Sequence, residues 1–378
     1  MSAPLADILV ADFSRVLAGP LCTQLLSEAG ARVIKVEEPG RGDETRRWGP
    51  PFVHGISAYF LSINKGKESL TLNLKSEGGR EVATRLIGRA DVVVENFTGL
   101  TLPSNPGAIH CRISGFDDGT PGYDLLAQAE SGLMAISGPP DGEPVKTGVA
   151  LSDVLTAHYA FGAICAALRG RERTGDGTLI EVSLFGATVA SLVNVAQNAL
   201  LTGTEAARWG NAHPSIVPYQ LFHASDRAFV LGCGTDRHFA QLCARVLGRP
   251  ELAEDKRFAT NERRVKHRRA LIAILETAFA SKRARHWVDA CRRAGVPASL
   301  VRGVREALRT PAGRALVDVV DHPILGAYEA VRNPLRIDGA RLRAGKAPPE
   351  LGADTAKVLK ELGYGVRQIG KLRAAGAI

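Results

Sequence analysis

The chain has 378 residues, 45% hydrophobic and 23% charged, which is too long for one small core and too apolar for extended disorder. A net charge of +9 suits an anionic ligand, either a phosphorylated cofactor or nucleic acid. The six cysteines (Cys22, Cys111, Cys165, Cys233, Cys243, Cys291) form no C-x-x-C pair and the nine histidines fall in no H-x-x-x-H spacing, so no zinc signature is present.

Cysteines within apolar runs fit a reducing cytosol. The start, MSAPLADILV, has no basic segment followed by a long apolar one, and no uninterrupted apolar run reaches transmembrane length. A soluble, cytoplasmic chain without a membrane partner is therefore expected.

Residues 8–11 form a short apolar run, read as a first strand. Gly19-Pro20 marks a turn, residues 21–29 read as helix, and residues 33–36 as a second strand, making a βαβ unit. The crossing loop has no G-x-G-x-x-G, so a dinucleotide fingerprint is absent. Residues 41–51 read as a polar surface loop. The alternation of Leu70, Leu72 and Leu74 within residues 64–75 suggests a half-exposed strand. Residues 77–87 read as helix, and residues 91–95 and 108–113 as buried strands. Residues 123–135 read as a helix broken near Gly132.

The stretch 148–184 follows. A short apolar run (148–151) leads to Ser152 and Asp153, then to an apolar helix over 154–168, a basic Gly-rich turn over 169–177, and a strand over 179–182. A carboxylate between two apolar segments either caps the following helix or does chemistry. A helix N-terminus would lower its pKa and keep it ionised. Residues 185–201 read as one long helix, and the Gly/Pro/Asn/His-rich residues 203–218 as a domain boundary.

Beyond it, strands at 229–231 and 298–301 and helices at 239–247, 268–280 and 285–294 suggest a smaller α+β domain. The run RRVKHRR at 263–269 lacks interleaved aromatics and reads as a solvated helical face, so no nucleic-acid partner is expected. Strands at 317–320 and 328–331 and helices at 354–362 and 368–374 close the chain. No serine sits in G-x-S-x-G, so a nucleophile elbow is absent. From the residues alone, the reading is a two-domain α/β enzyme for an anionic ligand: residues 1–202 large domain, 203–310 small domain, 311–378 a C-terminal segment.

Several segments resemble, in order and spacing, the family III CoA-transferases, the group that includes formyl-CoA transferase and shares its fold with the α-methylacyl-CoA racemases. They include ADFSRVLAGP (11–20), GARVIKVEEPGRGDETR (30–46), NKGKESLTLNLK (64–75), ADVVVENF (90–97), PGYDLLAQAESGLMAISG (121–138) and GVALSDV (148–154). GNAHPSIVPYQLF (210–222), DKRFATNERR (255–264), AGVPASLV (294–301) and APPELGADTAKVLKELGY (347–364) continue the match.

The resemblance implies a large Rossmann-like domain formed by both chain ends, a smaller α+β domain, and an interlocked homodimer. It implies CoA transfer from an acyl-CoA to a carboxylic acid acceptor, with coenzyme A as substrate and no tightly bound cofactor. Asp153 would be the catalytic carboxylate, passing through an aspartyl anhydride and an aspartyl-CoA thioester. For CoA binding it points to Arg15, Val16, Leu17 and Ala18, to Leu72, Asn73 and Lys75, and to Asn96 and Phe97, with Tyr123 and Asp124 beside the site.

Tyr123 stands where the racemases carry a His, and a phenol is a poor general base at neutral pH, which favours transfer over racemisation. Leu17 replaces the Gln of formyl-CoA transferase and points away from formyl or oxalyl specificity. Glu38 replaces a basic residue used for a CoA phosphate, and the segment after Phe97 is about ten residues short by comparison with the family pattern. Lys65, Lys67 or Arg41 would then have to supply the missing positive charge. The usual Gly-rich flap has no clear match. A racemase and a CoA-binding paralogue without turnover are the competing readings.

Overall fold

The computed structural model describes residues 3–378. Met1 and Ser2, part of the segment read for a leader, lie outside the described residues. The chain divides into two compact units. The first comprises the chain up to Met134, Lys146–Glu205 and Pro311–Ile378, and the second Ala135–Val145 and Ala206–Thr310. The segment 135–145, assigned to the large domain from sequence, thus belongs to the second unit. Its Ala135, Pro139 and Gly142 carbonyls accept hydrogen bonds from the Arg208 guanidinium.

The first unit is built on six parallel strands: β1 (Leu9–Asp12), β2 (Arg32–Glu37), β3 (Lys67–Thr71), β4 (Val92–Glu95), β5 (Ile109–Ser114) and β6 (Thr178–Ser183). Their spatial order is β3-β2-β1-β4-β5-β6. Sequence order reverses direction between β1 and β4, which makes the carboxyl ends of these two strands the switch point of a doubly wound sheet. Val10, Val33, Val92 and Val94 are fully buried, as strands covered on both faces require.

β3 differs from its sequence reading. Lys67, Glu68, Ser69 and Leu70 are all buried, so the strand is not half-exposed. The C-terminal segment covers this sheet edge: the Ser69 N–H donates to Asp354 Oδ2 (2.9 Å) and the Asp354 N–H to the Ser69 carbonyl (3.0 Å). Helices Thr355–Glu361 and Val366–Ala374 add Val358, Leu359 and Ile369 to the same core.

Three helices position the site: α1 (Ala18–Glu28), α2 (Asp124–Glu130) and α3 (Leu151–Thr174). α1 starts earlier than expected. Gly19 and Pro20 lie inside its first turn, where a missing N–H leaves no helical bond unmade. α3 begins at Leu151 after Ala150 and continues to Thr174, through the residues read as a basic turn, before Gly175 ends it at φ 80°. By length and composition α3 could cross a membrane. It is instead packed along α1, with Ala157, Ala160 and Ile164 fully buried in the protein core. The long helix expected over 185–201 is two, Leu184–Ser191 and Val193–Thr202, bent by 78°.

The second unit has an antiparallel three-stranded sheet, Tyr219–His223, Ala228–Gly232 and Ala298–Leu300, of which the first was not foreseen. Phe222, Phe229, Phe279 and Trp287 pack edge-on in its core. The basic run at 263–269 is not uniformly solvated. Arg264 is fully buried, donating to the Val217 and Phe258 carbonyls and pairing with Asp236 at 2.6 Å.

Candidate active site

A cavity of about 400 Å³ opens at the switch point. Arg15, Val16 and Ala18 come to it from the loop after β1, Asn96 to Gly99 from the loop after β4, and Ser114 to Tyr123 from the loop after β5. Asp153 and Leu184 close its floor. Close backbone approaches shape the lining. A Cβ on Gly19 would lie 2.2 Å from the Ser14 Cβ, and one on Gly115 would lie 2.3 Å from the Gly122 nitrogen. Only glycine lets α1 start against the β1 loop and lets the β5 loop close on itself.

Asp153 stands in the first turn of α3, third from its start, and is 9% exposed. It does not cap its own helix, contrary to the capping reading: Ala150 precedes the first turn and offers no side-chain acceptor. Burial, then the neighbouring Asp124 carboxylate, pushes the Asp153 carboxyl up to about 7, while the nearby Ala18 backbone N–H draws it partly back. The expected lowering by the helix N-terminus is therefore overturned. Desolvation and a like charge outweigh the helix dipole.

Asp124 is fixed as an acceptor. It takes the Ser152 N–H on Oδ1 (2.8 Å) and the Gln128 side-chain amide on Oδ2 (2.7 Å), and Gln128 Oε1 in turn accepts the Thr147 N–H (2.9 Å). Tyr59 is a neighbour that the sequence reading missed. Burial, then the carboxylates of Asp153, Asp124 and Asp43, push its phenol up to about 12. Trp48 packs edge-on against its ring at 5.2 Å.

Asn96 clamps the β1 loop. Its Oδ1 accepts the Arg15 N–H (3.0 Å) and its Nδ2 donates to the Arg15 carbonyl (2.8 Å). The Arg15 guanidinium lies over the Phe97 ring at 5.3 Å, in cation–π range. Thus Arg15, Val16, Ala18, Asn96, Phe97, Tyr123 and Asp153 are brought together around one cavity. Asp124 stands behind Asp153 and meets it through charge.

Leu17 precedes α1 but is not part of the lining. Leu72, Asn73 and Lys75 lie past the end of β3, at the far edge of the sheet. The Leu72 side chain is core, Asn73 bonds the C-terminal residues Gly376 and Ala377 through its side chain and N–H, and Lys75 is exposed. Two of the proposed compensating cations are committed elsewhere. Lys65 pairs with Glu28 (3.1 Å) and Lys67 with Asp12 (3.0 Å), both in the interior, whereas Arg41 remains exposed. Glu44, Arg112 and the loop 114–122 also line the cavity and were missed. The signal for Glu44 and the loop was positional, since they follow the carboxyl ends of β2 and β5, whereas Arg112 lies within β5. Among the described residues, no cluster of three His, Cys, Asp or Glu side chains could hold a metal ion.

The family model for CoA-transferase family III matches residues 5–355. The chain belongs to the family III CoA-transferases. As a CoA-transferase of this family it acts between acyl-CoA thioesters and carboxylic acids. Succinyl-CoA:glutarate CoA-transferase of Mus musculus is 40% identical to it over 99% of this chain and 90% of that protein. Acetyl-CoA:oxalate CoA-transferase of Acetobacter aceti is 40% identical over 89% of this chain and 90% of that protein. A CAIB/BAIF family protein of Brucella suis has the same architecture, with a TM-score of 0.85 at 40% identity, covering 96% of this CoA-transferase and all of that chain.

Proposed function

We propose that this CoA-transferase works through Asp153 as a covalent nucleophile, with CoA lying across the loops after β1, β4 and β5. The observation that carries this reading is the enclosed Asp153 carboxyl lining the switch-point cavity. In its ionised form one Asp153 oxygen attacks the thioester carbonyl, the C–S bond breaks, and CoA leaves as thiolate with an acyl-aspartyl anhydride behind it. The thiolate then attacks the Asp153 carbonyl carbon and expels the donor acid as its carboxylate. An acceptor carboxylate attacks the resulting aspartyl-CoA thioester, forming a second anhydride and freeing the thiolate again. Attack of that thiolate on the acceptor acyl carbon yields the new acyl-CoA and restores Asp153. No redox partner or added proton is needed over the cycle.

Both anhydrides hydrolyse easily, so water must be kept out, and the 9% exposure of Asp153 suits that demand. The substrates named for the relatives, succinyl-CoA with glutarate and acetyl-CoA with oxalate, suggest a dicarboxylic acceptor here. Arg15 and Arg112 on the cavity wall supply cations for a second carboxylate. Lys75, past the edge strand β3, and Arg41, past β2, are the exposed cations proposed for the CoA phosphates.

Helix Val193–Thr202 supports the homodimer. It buries none of its residues and exposes Val193, Leu200 and Leu201 at 70%, 81% and 76%, so a second copy of the chain is its proposed cover.

The deciding experiment incubates the protein with succinyl-CoA or acetyl-CoA, traps with hydroxylamine or borohydride, and maps the peptides by mass. Modification is expected at Asp153, and modification at any other residue overturns the mechanism. CoA binding without transfer across a broad acceptor panel overturns turnover itself.

A further inference from the structure

The first turn of α3, which carries Asp153, is capped from another helix. Ser152 is fully buried, so its N–H cannot turn to water. It donates instead to Asp124 Oδ1, at the start of α2 (2.8 Å). The amide next to Asp124 has only one workable orientation. Gln128 is fully buried, and the Thr147 N–H, which can only donate, meets its Oε1 (2.9 Å). The Gln128 amide nitrogen therefore points the other way and donates to Asp124 Oδ2 (2.7 Å). Both oxygens of Asp124 are thus acceptors, which calls for a carboxylate. An amide or a protonated acid would set donor against donor at one of them.

That charge lies close to the nucleophile. Ser152 adjoins Asp153 in a helical turn, so covalent geometry holds the Asp153 carboxyl within about 10 Å of Asp124 Oδ1. Asp153 is buried and Asp124 half-buried, so solvent screens the two carboxylates weakly. The Asp153 carboxyl, raised to about 7 by burial and then by Asp124, agrees with this placement. Asp124 is not part of the cavity lining and stands behind the reacting face. Its repulsion disfavours the free Asp153 carboxylate and is relieved once that carboxylate carries CoA. In the exchange that loads CoA, the donor's C–S bond breaks and an aspartyl C–S bond forms. One Asp153 oxygen leaves with the donor carboxylate, which takes the negative charge away. A fixed anion behind Asp153 pulls this exchange forward.

We infer that Gln128, set by the Thr147 N–H, locks Asp124 as an anionic cap on α3, and that this fixed charge drives CoA onto Asp153. This rests on Asp153 being the nucleophile. Gln128 and Asp124 touch no reacting atom and are positioning residues. Arg15, Glu44, Arg112 and Tyr123 share the cavity with Asp153, and Tyr59 faces it from another segment; the test leaves them all intact.

The test uses the full chain carrying Asp124→Asn with Gln128→Glu, which exchanges amide and carboxylate. The introduced amide oxygen still accepts the Ser152 N–H, its nitrogen donates to the introduced carboxylate, and that carboxylate accepts the Thr147 N–H. Every hydrogen bond is kept while the charge moves one helical turn along α2. The acid limb of kcat is expected to move about one pH unit lower. At pH 8, mass spectrometry after mixing with succinyl-CoA and succinate reads the ratio of aspartyl-CoA enzyme to free enzyme. It should fall about tenfold, since one unit of pKa is a tenfold change in equilibrium. Kd for free CoA stays within about threefold, because the wall residues remain. A network that only holds the fold would leave the limb and the ratio unmoved, and that result overturns the inference. The lock is read from thermal melts. Asp124→Asn alone sets amide against amide, and Gln128→Glu alone sets carboxylate against carboxylate. Each should lower Tm, and the double variant should recover most of the loss. A double variant that melts no higher than the weaker single one, or that does not fold, overturns the lock. The two readings fail differently. A trapped adduct at another residue in the unaltered protein refutes the nucleophile, whereas an adduct at Asp153 with an unmoved acid limb in the double variant refutes the driving charge.

Discussion

Asp124 Oδ1, at the start of α2, accepts the Ser152 N–H (2.8 Å) in the first turn of α3, so an orphan donor of one helix is satisfied by a side chain of another. Ala150, which precedes α3, has no side chain able to accept it. The residue next to Asp153 is thereby tied to α2, and the same Asp124 carboxylate acts on Asp153 through its charge.

Asp153→Asn is expected to abolish transfer, by about 10⁴-fold or more in kcat. It is also expected to stabilise the fold. The Asp153 carboxyl stands at about 7 in the folded chain against an ordinary 3.8, so the folded state binds the extra proton between these values. Ionised Asp153 therefore disfavours the fold above pH 7, by up to about 4 kcal/mol. The penalty disappears as pH falls toward 4. Thermal melts at pH 8 should place Tm of Asp153→Asn above that of the unaltered protein, and the gap should shrink at pH 5. A variant that melts lower at pH 8 refutes this.

The rate should follow the same ionisation. With Asp153 titrating at about 7, kcat/KM falls as the pH drops below that value, about tenfold per pH unit once the protonated form dominates. A profile flat from pH 8 to pH 5 would show that no such carboxyl limits the reaction.

Asn96→Ala removes both hydrogen bonds that grip Arg15. A stability loss of about 1–3 kcal/mol is expected from urea unfolding, together with weaker acyl-CoA binding, as the β1 loop loses its tether. Unchanged KM and unchanged unfolding midpoint would contradict the clamp.

Leu200→Glu with Leu201→Glu places two charges on the exposed face of helix Val193–Thr202. Light scattering after size exclusion should find the unaltered chain as a dimer and the variant as a monomer or aggregate. Equal masses for the two would remove that helix from the interface.

Much of the first unit's layout was legible because it is local. The apolar runs of β1, β2 and β4 are buried on both faces and announce themselves without long-range information. β3 was misread because the alternating leucines suggested one wet face. The contacts that cover Lys67 and Glu68 come from Asp12, Arg32 and the distant Lys357, which no local window contains. Lys67 likewise looked available for a phosphate. It is enclosed, and burial brings its ammonium down to about 8 despite the Asp12 carboxylate beside it.

For the site, the sequence by itself determined the alternation of strands and helices, the family to which the motifs point, and Asp153 as a carboxylate set between apolar segments. The tertiary structure decided that Asp153 sits inside a helix rather than at its cap, and that its pKa moves up rather than down. It also decided that Arg41, and not Lys65 or Lys67, remains exposed. The physical reason is common to all three. Burial, like-charge proximity and ion pairing are sums over neighbours in space, and the neighbours of Asp153, namely Ala18, Asp124 and Tyr59, come from three separate stretches of chain that only the packed sheet brings together.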